Sequence, residues 1–173
     1  MILSHQNLHF LAQGRDLLDH LDDDLYTRGD SHGHSSVGAH LRHVLDAYRC
    51  LLHGLADRRI DYDARRRDPR VETERAAARH LLDEIVVELE RMEEADRHIE
   101  VHVRSDAVAW GEVDAWTRST IGRELQFLLS HTVHHFALIA MTLRGIGFEP
   151  ARDFGVAPST LEHQQRLGVP VAG

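Results

Sequence analysis

The chain has 173 residues, a length that suits one domain with a single core and is short for two. Apolar residues make up 42% and charged residues 28%, as is ordinary for a globular protein, and the formal net charge is −8. This negative balance argues against nonspecific nucleic-acid binding and against docking on an anionic membrane, and no apolar run approaches the roughly 20 residues of a membrane span.

Several features of the sequence bear on compartment and chemistry. The first residues lack a basic segment followed by an apolar one, so we expect no signal peptide. The single cysteine, Cys50, cannot form an internal disulfide, which is typical of a cytoplasmic protein. The chain has no lysine, which excludes a lysine Schiff base and a P-loop, and it has 15 histidines. Histidine is therefore the residue type to follow along the chain.

The first predicted helix covers residues 2–25, where leucines and Phe10 recur at helical spacing on one face. Gly14 falls on that face and is expected to allow a neighbouring helix to approach closely. His5 and His9 lie four residues apart, but on the polar face, so we expect both to be solvated. Residues 27–35 are rich in Gly, Ser and Asp and indicate a loop.

The second predicted helix covers residues 36–55 and begins at Ser36, a suitable N-cap. His40 lies at the edge of its apolar arc. His43 lies further round, on a flank of small side chains that a neighbouring helix could also cover. Wheel geometry slightly favours His40 as the core-facing histidine and leaves His43 open. The residues expected on the water side are Arg42, Asp46, Arg49 and His53.

Residues 57–70 form a densely charged connection, which is expected to be a solvated loop; in the alternative reading its arginines bind an acidic substrate. At about 3.3 Å per residue it is long enough to return along a 20-residue helix, so a crossover is possible. A third helix is predicted over residues 73–97, with Leu81, Ile85 and Leu89 among its packing residues.

The last part of the chain changes pattern twice. Residues 99–118 alternate apolar and polar side chains, for example at Val101 and Val103, and predict a short strand or hairpin. A fourth helix begins after Ser119 or Thr120 and ends near Gly145 and Gly147. Residues 146–173 are expected to be an irregular tail, docked on the body through Phe154, Val156 and Leu161.

The fourth helix carries two histidines on its buried face. Adjacent helical residues are about 100° apart, which places His131 and His135 together at the centre of the apolar stripe. Histidines at i and i+4 point the same way and can chelate a metal ion, or they can be hydrogen-bonded core residues. A third histidine from the second helix, His40 or His43, would complete a metal site between facing helices.

Two stretches carry a resemblance to a known family. The segment Ser36-Val37-Gly38-Ala39-His40-Leu41-Arg42-His43-Val44-Leu45-Asp46 resembles the second-helix motif of the DinB-like (YfiT-like) metal-binding family, and His131-Thr132-Val133-His134-His135 resembles its fourth-helix motif. The resemblance implies an all-α four-helix bundle over residues 1–173. It also implies a crossover between helices 2 and 3, and the strand or hairpin lies between helices 3 and 4.

The resemblance also implies the ligand set His43, His131 and His135, and so favours His43 over His40. His134 is then expected beside a ligand or in a helix contact. The family's fourth helix often continues with Arg-Gly-Gln after the histidines, whereas this chain continues with Phe136, so any role of that Arg and Gln is absent. A homodimer is expected from the family.

Three neutral imidazoles bind Zn(II), Ni(II) or Fe(II) and leave coordination positions open, as catalytic sites do. Glu124 lies two turns before His131 on the same face. It is a candidate catalytic base, a hydrogen-bond partner or an additional ligand; alternatively it forms a salt bridge near the helix start.

Three functions fit this site. The resemblance implies a thiol-dependent S-transferase-type enzyme acting on a small molecule. The other two are a metal-dependent hydrolase and a non-catalytic metal-binding or stress-response protein. No nucleic-acid or membrane partner is expected.

Overall fold

The computed structural model describes residues 3–29, 35–105, 111 and 116–166. These residues are mostly helical and include a small three-stranded sheet. No described helix is both long and apolar enough to cross a membrane. The elements in chain order are α1 (Leu3–His20), α2 (Asp23–Thr27), α3 (Val37–Gly54), β1 (Arg59–Asp61), α4 (Pro69–Thr73), α5 (Arg75–Glu90), a 3₁₀ turn (Glu94–His98), β2 (Glu100–Arg104), β3 (Thr117–Thr120), α6 (Ile121–Gly145) and α7 (Pro158–Arg166).

Four long helices share the main core. α3 packs on α6, α6 on α1, α1 on α5 and α5 on α3. Each contributes side chains with no exposed surface, such as Leu11, Leu45, Leu82 and Leu128. Burying one such side chain contributes about 1.5–3 kcal/mol relative to leaving it exposed, so these four helices hold the fold together.

The starts of the two central helices agree with their capping residues. The Ser36 hydroxyl accepts a hydrogen bond from the Ala39 N–H at 3.1 Å, and the Thr120 hydroxyl accepts one from the Arg123 N–H at 3.2 Å. Each bond satisfies one amide that the helix itself leaves without a partner. α6 ends next to Gly147, which has a φ of +86°, as expected for a C-terminal glycine.

Two predicted helices are interrupted. The first ends at His20, and the side chain of Asp22 accepts from the Leu25 N–H and starts the separate α2. The third was predicted over residues 73–97, but α5 ends at Glu90 and the 3₁₀ turn follows at Glu94–His98. At its other end, the extended backbone of Glu74 separates α5 from the additional short helix α4. Local changes of backbone conformation thus set helix ends that the apolar pattern does not show.

The predicted strand region is present and has an additional partner. β2 pairs with β3 in antiparallel register, with Val101 opposite Ser119. Residues 106–110 and 112–115 between these strands, which include Val108, Trp110 and Val113, lie outside the described part of the chain. On its other edge, β2 pairs in parallel with β1, which places Ile60 opposite Val103. The sequence analysis missed β1 because it has three residues and only Ile60 is apolar and buried.

The connection at 57–70 is not the solvated loop that its charge predicts. Ile60 and Tyr62 are buried, and the Arg67 N–H donates to the Asp46 carboxylate at 3.2 Å. Asp46 is only 2% exposed, so its assignment to the water side of the second helix was wrong. The connection covers that face of α3, which a helical wheel cannot show.

The region after α6 is more ordered than predicted. Residues 158–166 form α7, so the prediction of an irregular 146–173 segment is wrong there, and residues 167–173 lie outside the described part. Phe154 is buried and stacks on Phe136 with ring centroids 4.7 Å apart, as its predicted docking role requires. Gly155 lies against the backbone of Phe136, where a Cβ would come within 2.6 Å of a main-chain carbon. Glycine therefore permits this close docking on α6.

Candidate metal centre

Three histidines from two helices meet at the packed face between α3 and α6. His43 projects from α3, and His131 and His135 project from consecutive turns of α6. One ring nitrogen from each lies within 4.8 Å of the other two, and all three side chains are half-buried. The Nε2 atoms of His43 and His131 are 3.0 Å apart. These are the positions that the family resemblance selects.

A buried polar network fixes the register of the two helices beside this cluster. The Tyr48 hydroxyl on α3 donates to Asn7 Oδ1 of α1 at 2.6 Å and lies 3.1 Å from the hydroxyl of Thr132 on α6. Thr132 follows His131 and donates to the Leu128 carbonyl. Because all of these groups are buried, sliding one helix along another would break hydrogen bonds that water cannot replace.

The electrostatics of the cluster favour neutral imidazoles. Burial lowers the pKa of His131 to about 4, with a further contribution from His43. Burial likewise lowers the pKa of His135 to about 3, followed by the effects of His131 and His43. The pKa of His43 is also lowered, first by burial and then by the Arg65 guanidinium. At neutral pH all three rings are therefore neutral, and each has one unprotonated nitrogen. In His43 that nitrogen is Nδ1 while Arg65 donates to it, so an ion bound by Nε2 of His43 requires this contact to release.

The donor set suits a divalent cation. Three neutral imidazoles within contact distance cannot all satisfy one another, and Nδ1 of His131 is buried with no hydrogen-bond partner. An unsatisfied buried nitrogen costs about 1–3 kcal/mol. An ion bound by one nitrogen of each ring satisfies lone pairs that face each other in the cluster. The three-histidine group could thus hold a divalent metal, with imidazole ligands that suit Zn, Ni and Fe.

His40 and His134 flank the cluster. Nδ1 of His40 lies 3.0 Å from Nδ1 of His135, a hydrogen bond that leaves Nε2 of His135 for an ion. His40 therefore contacts the cluster from α3 without belonging to the group of three. His134 is exposed, with its ring 5.2 Å from that of His135. The geometry agrees with His43 rather than His40 as the third ligand, although the ligand role itself stays a prediction.

Glu124 is buried but lies outside the histidine group. Its carboxylate accepts hydrogen bonds from the Tyr62 hydroxyl at 3.0 Å and from Ser119 Oγ at 2.5 Å. Phe127 connects this pair to the cluster, because its ring lies 5.5 Å from the Tyr62 ring and stacks on His131 at 5.6 Å. The assignment of Glu124 as a catalytic residue stays a prediction. The predicted alternative was a salt bridge near the helix start, whereas among the described residues the partners of this carboxylate are two neutral hydroxyl groups.

Sequence reasoning missed the contribution of the 57–70 connection. Nη1 of Arg65 lies 3.2 Å from Nδ1 of His43, so this arginine reaches the cluster from outside the two helices. Asp46 lies one turn after His43 on α3, and its burial raises the pKa of its carboxyl group. The available signal was Ile60 and Tyr62, two large apolar side chains in an otherwise charged segment, which indicate that the segment packs on the body.

A separate groove of about 1120 Å³ lies between α3, the 66–71 segment and α5. Its walls include arginines, such as Arg49 and Arg66, as well as aspartates and glutamates, such as Asp83 and Glu84. None of the three clustered histidines lines it. Volume alone therefore does not mark the metal centre, and the chemistry of the histidine cluster is the better guide.

Comparison with known proteins gives two matches. A family model described as "DinB superfamily" matches residues 11–139, a range that contains all three clustered histidines. A Rhizopus delemar protein named FK506-binding protein 5 is 29% identical over 104 residues, which are 60% of this chain and 27% of that protein. The chain thus matches only about a quarter of that relative's length. No solved structure matches the chain.

Proposed function

Because the chain belongs to the DinB superfamily, we propose that it is a cytoplasmic metal-dependent protein in which His43, His131 and His135 bind one divalent ion. In this proposal α1, α3, α5 and α6 form the family's four-helix bundle as one domain, with the 57–70 connection as its crossover. A homodimer is part of the proposal. The observation that carries it is the meeting of three ring nitrogens within 4.8 Å at the packed face of α3 and α6.

The proposed activity is thiol-dependent S-transfer to a small-molecule electrophile. When bound, a divalent ion with an open position supplies Lewis acidity that lowers the pKa of a small thiol. The thiol sulfur forms a bond to an electrophilic carbon, the bond to the leaving group breaks with its electron pair on that group, and the thiol proton passes to the candidate base Glu124 and from there to solvent. The ion is Zn, Ni or Fe, which three imidazoles accept alike.

The side chains around the cluster have defined tasks in this proposal. Phe127 stacks on His131 and holds its ring plane, and His40 orients His135 through the Nδ1 contact at 3.0 Å. Glu124, held by Tyr62 and Ser119, is the candidate base for the thiol proton. Cys50 is a poor sulfur nucleophile, since burial raises the pKa of its thiol to about 11, so the reacting sulfur comes from a small molecule.

Metal analysis combined with spectroscopy tests this function. Protein purified without added metal is expected to contain about one divalent ion per chain, and its Co(II) form is expected to show a saturable spectral change with 2-mercaptoethanol. If chelation lowered the stability of the protein but thiols did not change the Co(II) spectrum, a non-catalytic metal-binding protein would be favoured instead. Turnover of an activated ester with no thiol requirement would favour a hydrolase. Sedimentation analysis tests the dimer.

A further inference from the structure

Arg65 lies beside the histidine cluster and forms no ion pair within the described part of the chain, although its charge acts on Asp46 from beyond 4.0 Å. Its one hydrogen bond among the described residues joins Nη1 to the neutral Nδ1 of His43 at 3.2 Å. Its Nε is buried, with no acceptor in reach, and within the described ranges no carboxylate oxygen lies within 4.0 Å of its guanidinium. Arg42, also near His43, is by contrast paired with Glu72 at 2.7 Å and with Asp46 at 3.8 Å.

The hydrogen-bonding capacity of this guanidinium is only partly used. Leaving a buried charged donor without an acceptor costs free energy that neighbouring groups normally remove by pairing. The Nε–H and one terminal N–H of arginine form a planar fork that matches the two oxygens of a carboxylate or phosphate. Nη1 faces His43 in this structure, and the edge that contains Nε has no acceptor. Nε itself has no accessible surface, whereas Arg65 as a whole is half-buried, so an anion with two oxygens would meet the terminal N–H groups first and satisfy Nε only where its cover opens.

The position of Arg65 restricts where this anion belongs. Its Nη1 lies 3.2 Å from Nδ1 of His43, whose Nε2 lies 3.0 Å from Nε2 of His131. A group bound to this guanidinium therefore lies close to anything that the three histidines hold. The segment that carries Arg65 is itself fixed, since Tyr62 is buried and hydrogen-bonded to Glu124.

From this geometry we propose that Arg65 binds an anionic group, a carboxylate or a phosphate, of the small molecule that reaches the metal centre. Arg65 is then a specificity residue that selects acidic thiols or acidic electrophiles over neutral ones. The inference deepens the proposed function and rests on it for the identity of the neighbouring ion. It does not need Arg65 to touch the reacting atoms.

Two thiols of similar size test this selectivity. Mercaptoacetate and 2-mercaptoethanol differ in a carboxylate and are titrated into the Co(II) form while its spectrum is followed. Wild type is expected to bind mercaptoacetate at least about tenfold more tightly, and Arg65→Gln to lose that preference while keeping its affinity for 2-mercaptoethanol. Arg66→Gln is the matched control, because it removes the same charge from the adjacent, exposed residue.

A second measurement identifies the preferred anion, and because it uses wild type it tests the site even if Arg65→Gln does not fold. Acetate and inorganic phosphate are added separately to ¹⁵N-labelled wild type, and the Arg65 Nε–H signal, assigned by its loss in Arg65→Lys, is followed. A saturable shift with either anion supports the site and identifies the preferred group. No shift with both, equal affinity of wild type for the two thiols, or a preference that survives in Arg65→Gln overturns the inference. Absence of bound metal overturns the proposed function instead, and the anion titration still tests Arg65.

Discussion

Each of the three clustered histidines has a different neighbour that fixes its ring. Phe127 stacks on His131, and Arg65 donates to His43. His40 contacts His135 through Nδ1. Because rotamers held by packing and hydrogen bonds lose little entropy on binding, the ring positions are preorganised for an ion. His43 is the exception in its protonation, since Arg65 must release Nδ1 before Nε2 can bind an ion.

At this scale the ligand assignment gives the first prediction. His43→Ala and His135→Ala each remove one of three ligands, so metal affinity is expected to fall by more than about a hundredfold. Loss of a residue that only supports a ligand lowers metal affinity by at most about that factor. Competition with a chromophoric chelator measures the change. His134→Ala, an exposed position on the same helix, is the control and should keep its metal. Unchanged metal content in both ligand variants would eliminate the metal centre.

The second prediction concerns the thiol of Cys50. Because burial raises its pKa to about 11, the thiolate is scarce at pH 8, and alkylation by iodoacetamide is expected to be on the order of a hundredfold slower than in the urea-unfolded chain. The rate should rise about tenfold per pH unit from 7 to 10 without levelling, since the neutral thiol predominates throughout. Mass spectrometry follows the modification. A plateau near pH 9 would show an ordinary, accessible thiol.

The sequence could predict part of this site. The i, i+4 spacing on an apolar stripe was enough to bring His131 and His135 together, because helix periodicity fixes their directions. Helix geometry slightly favoured His40 over His43, and only the family resemblance selected His43, because both histidines approach the cluster from α3 and differ in which contacts they make. Arg65 was beyond reach, because its contact depends on how a non-helical segment packs.

At the scale of elements, the register of α3 against α6 depends on buried polar groups as well as on apolar packing. The Tyr48 hydroxyl lies 2.6 Å from Asn7 Oδ1 on α1 and 3.1 Å from the Thr132 hydroxyl on α6. Apolar side chains tolerate small slides between helices, whereas hydrogen bonds of fixed length do not. The network therefore determines how far His43 lies from the two histidines of α6.

This network gives the third prediction. Tyr48→Phe removes the hydroxyl and leaves Asn7 Oδ1 buried without that donor, so the free energy of unfolding is expected to fall by about 1–3 kcal/mol. Urea denaturation measures it. In a double-mutant cycle, Asn7→Leu with Tyr48→Phe should cost less than the sum of the single changes, with a coupling of about 0.5–3 kcal/mol. Strict additivity would contradict the network.

Element prediction from the sequence worked best where the apolar pattern was long. The region predicted for helix 2 and the start of helix 4 agree with α3 and α6, because each has a capping Ser or Thr before a sustained helical stripe. β1 was missed, since three residues with one buried side chain carry no detectable period. α7 was missed because it is largely polar, and the break at Asp22 depends on a single local hydrogen bond.

On the scale of the whole molecule, a metal ion would join two helices that also form part of the central core. An ion that binds the folded chain but not the unfolded chain stabilises it by RT ln(1 + [ion]/Kd), or about 2.7 kcal/mol at a hundredfold excess over Kd. Metal content and global stability are therefore expected to change together.

The fourth prediction is that chelation lowers the melting temperature of wild type. A loss of about 2.7 kcal/mol corresponds to a fall of roughly 5–10 °C for a chain of this size. Differential scanning calorimetry with and without EDTA measures it, and added Zn(II) should restore the original value. His135→Ala is the control, since a chain that holds no ion should not respond to EDTA. If wild type melted at the same temperature with and without EDTA, and metal removal had been verified, the ion would not contribute to the stability of the fold.

The contact between His43 and His131 joins positions 88 residues apart in the sequence. Such contacts form late in folding, because the entropy of closing a long loop is lost before the contact forms. During synthesis α3 leaves the ribosome well before α6, and at first an ion can meet only isolated histidines. The complete three-histidine cluster is therefore a product of folding rather than its nucleus, and binding of an ion by all three rings would follow the collapse of the helices.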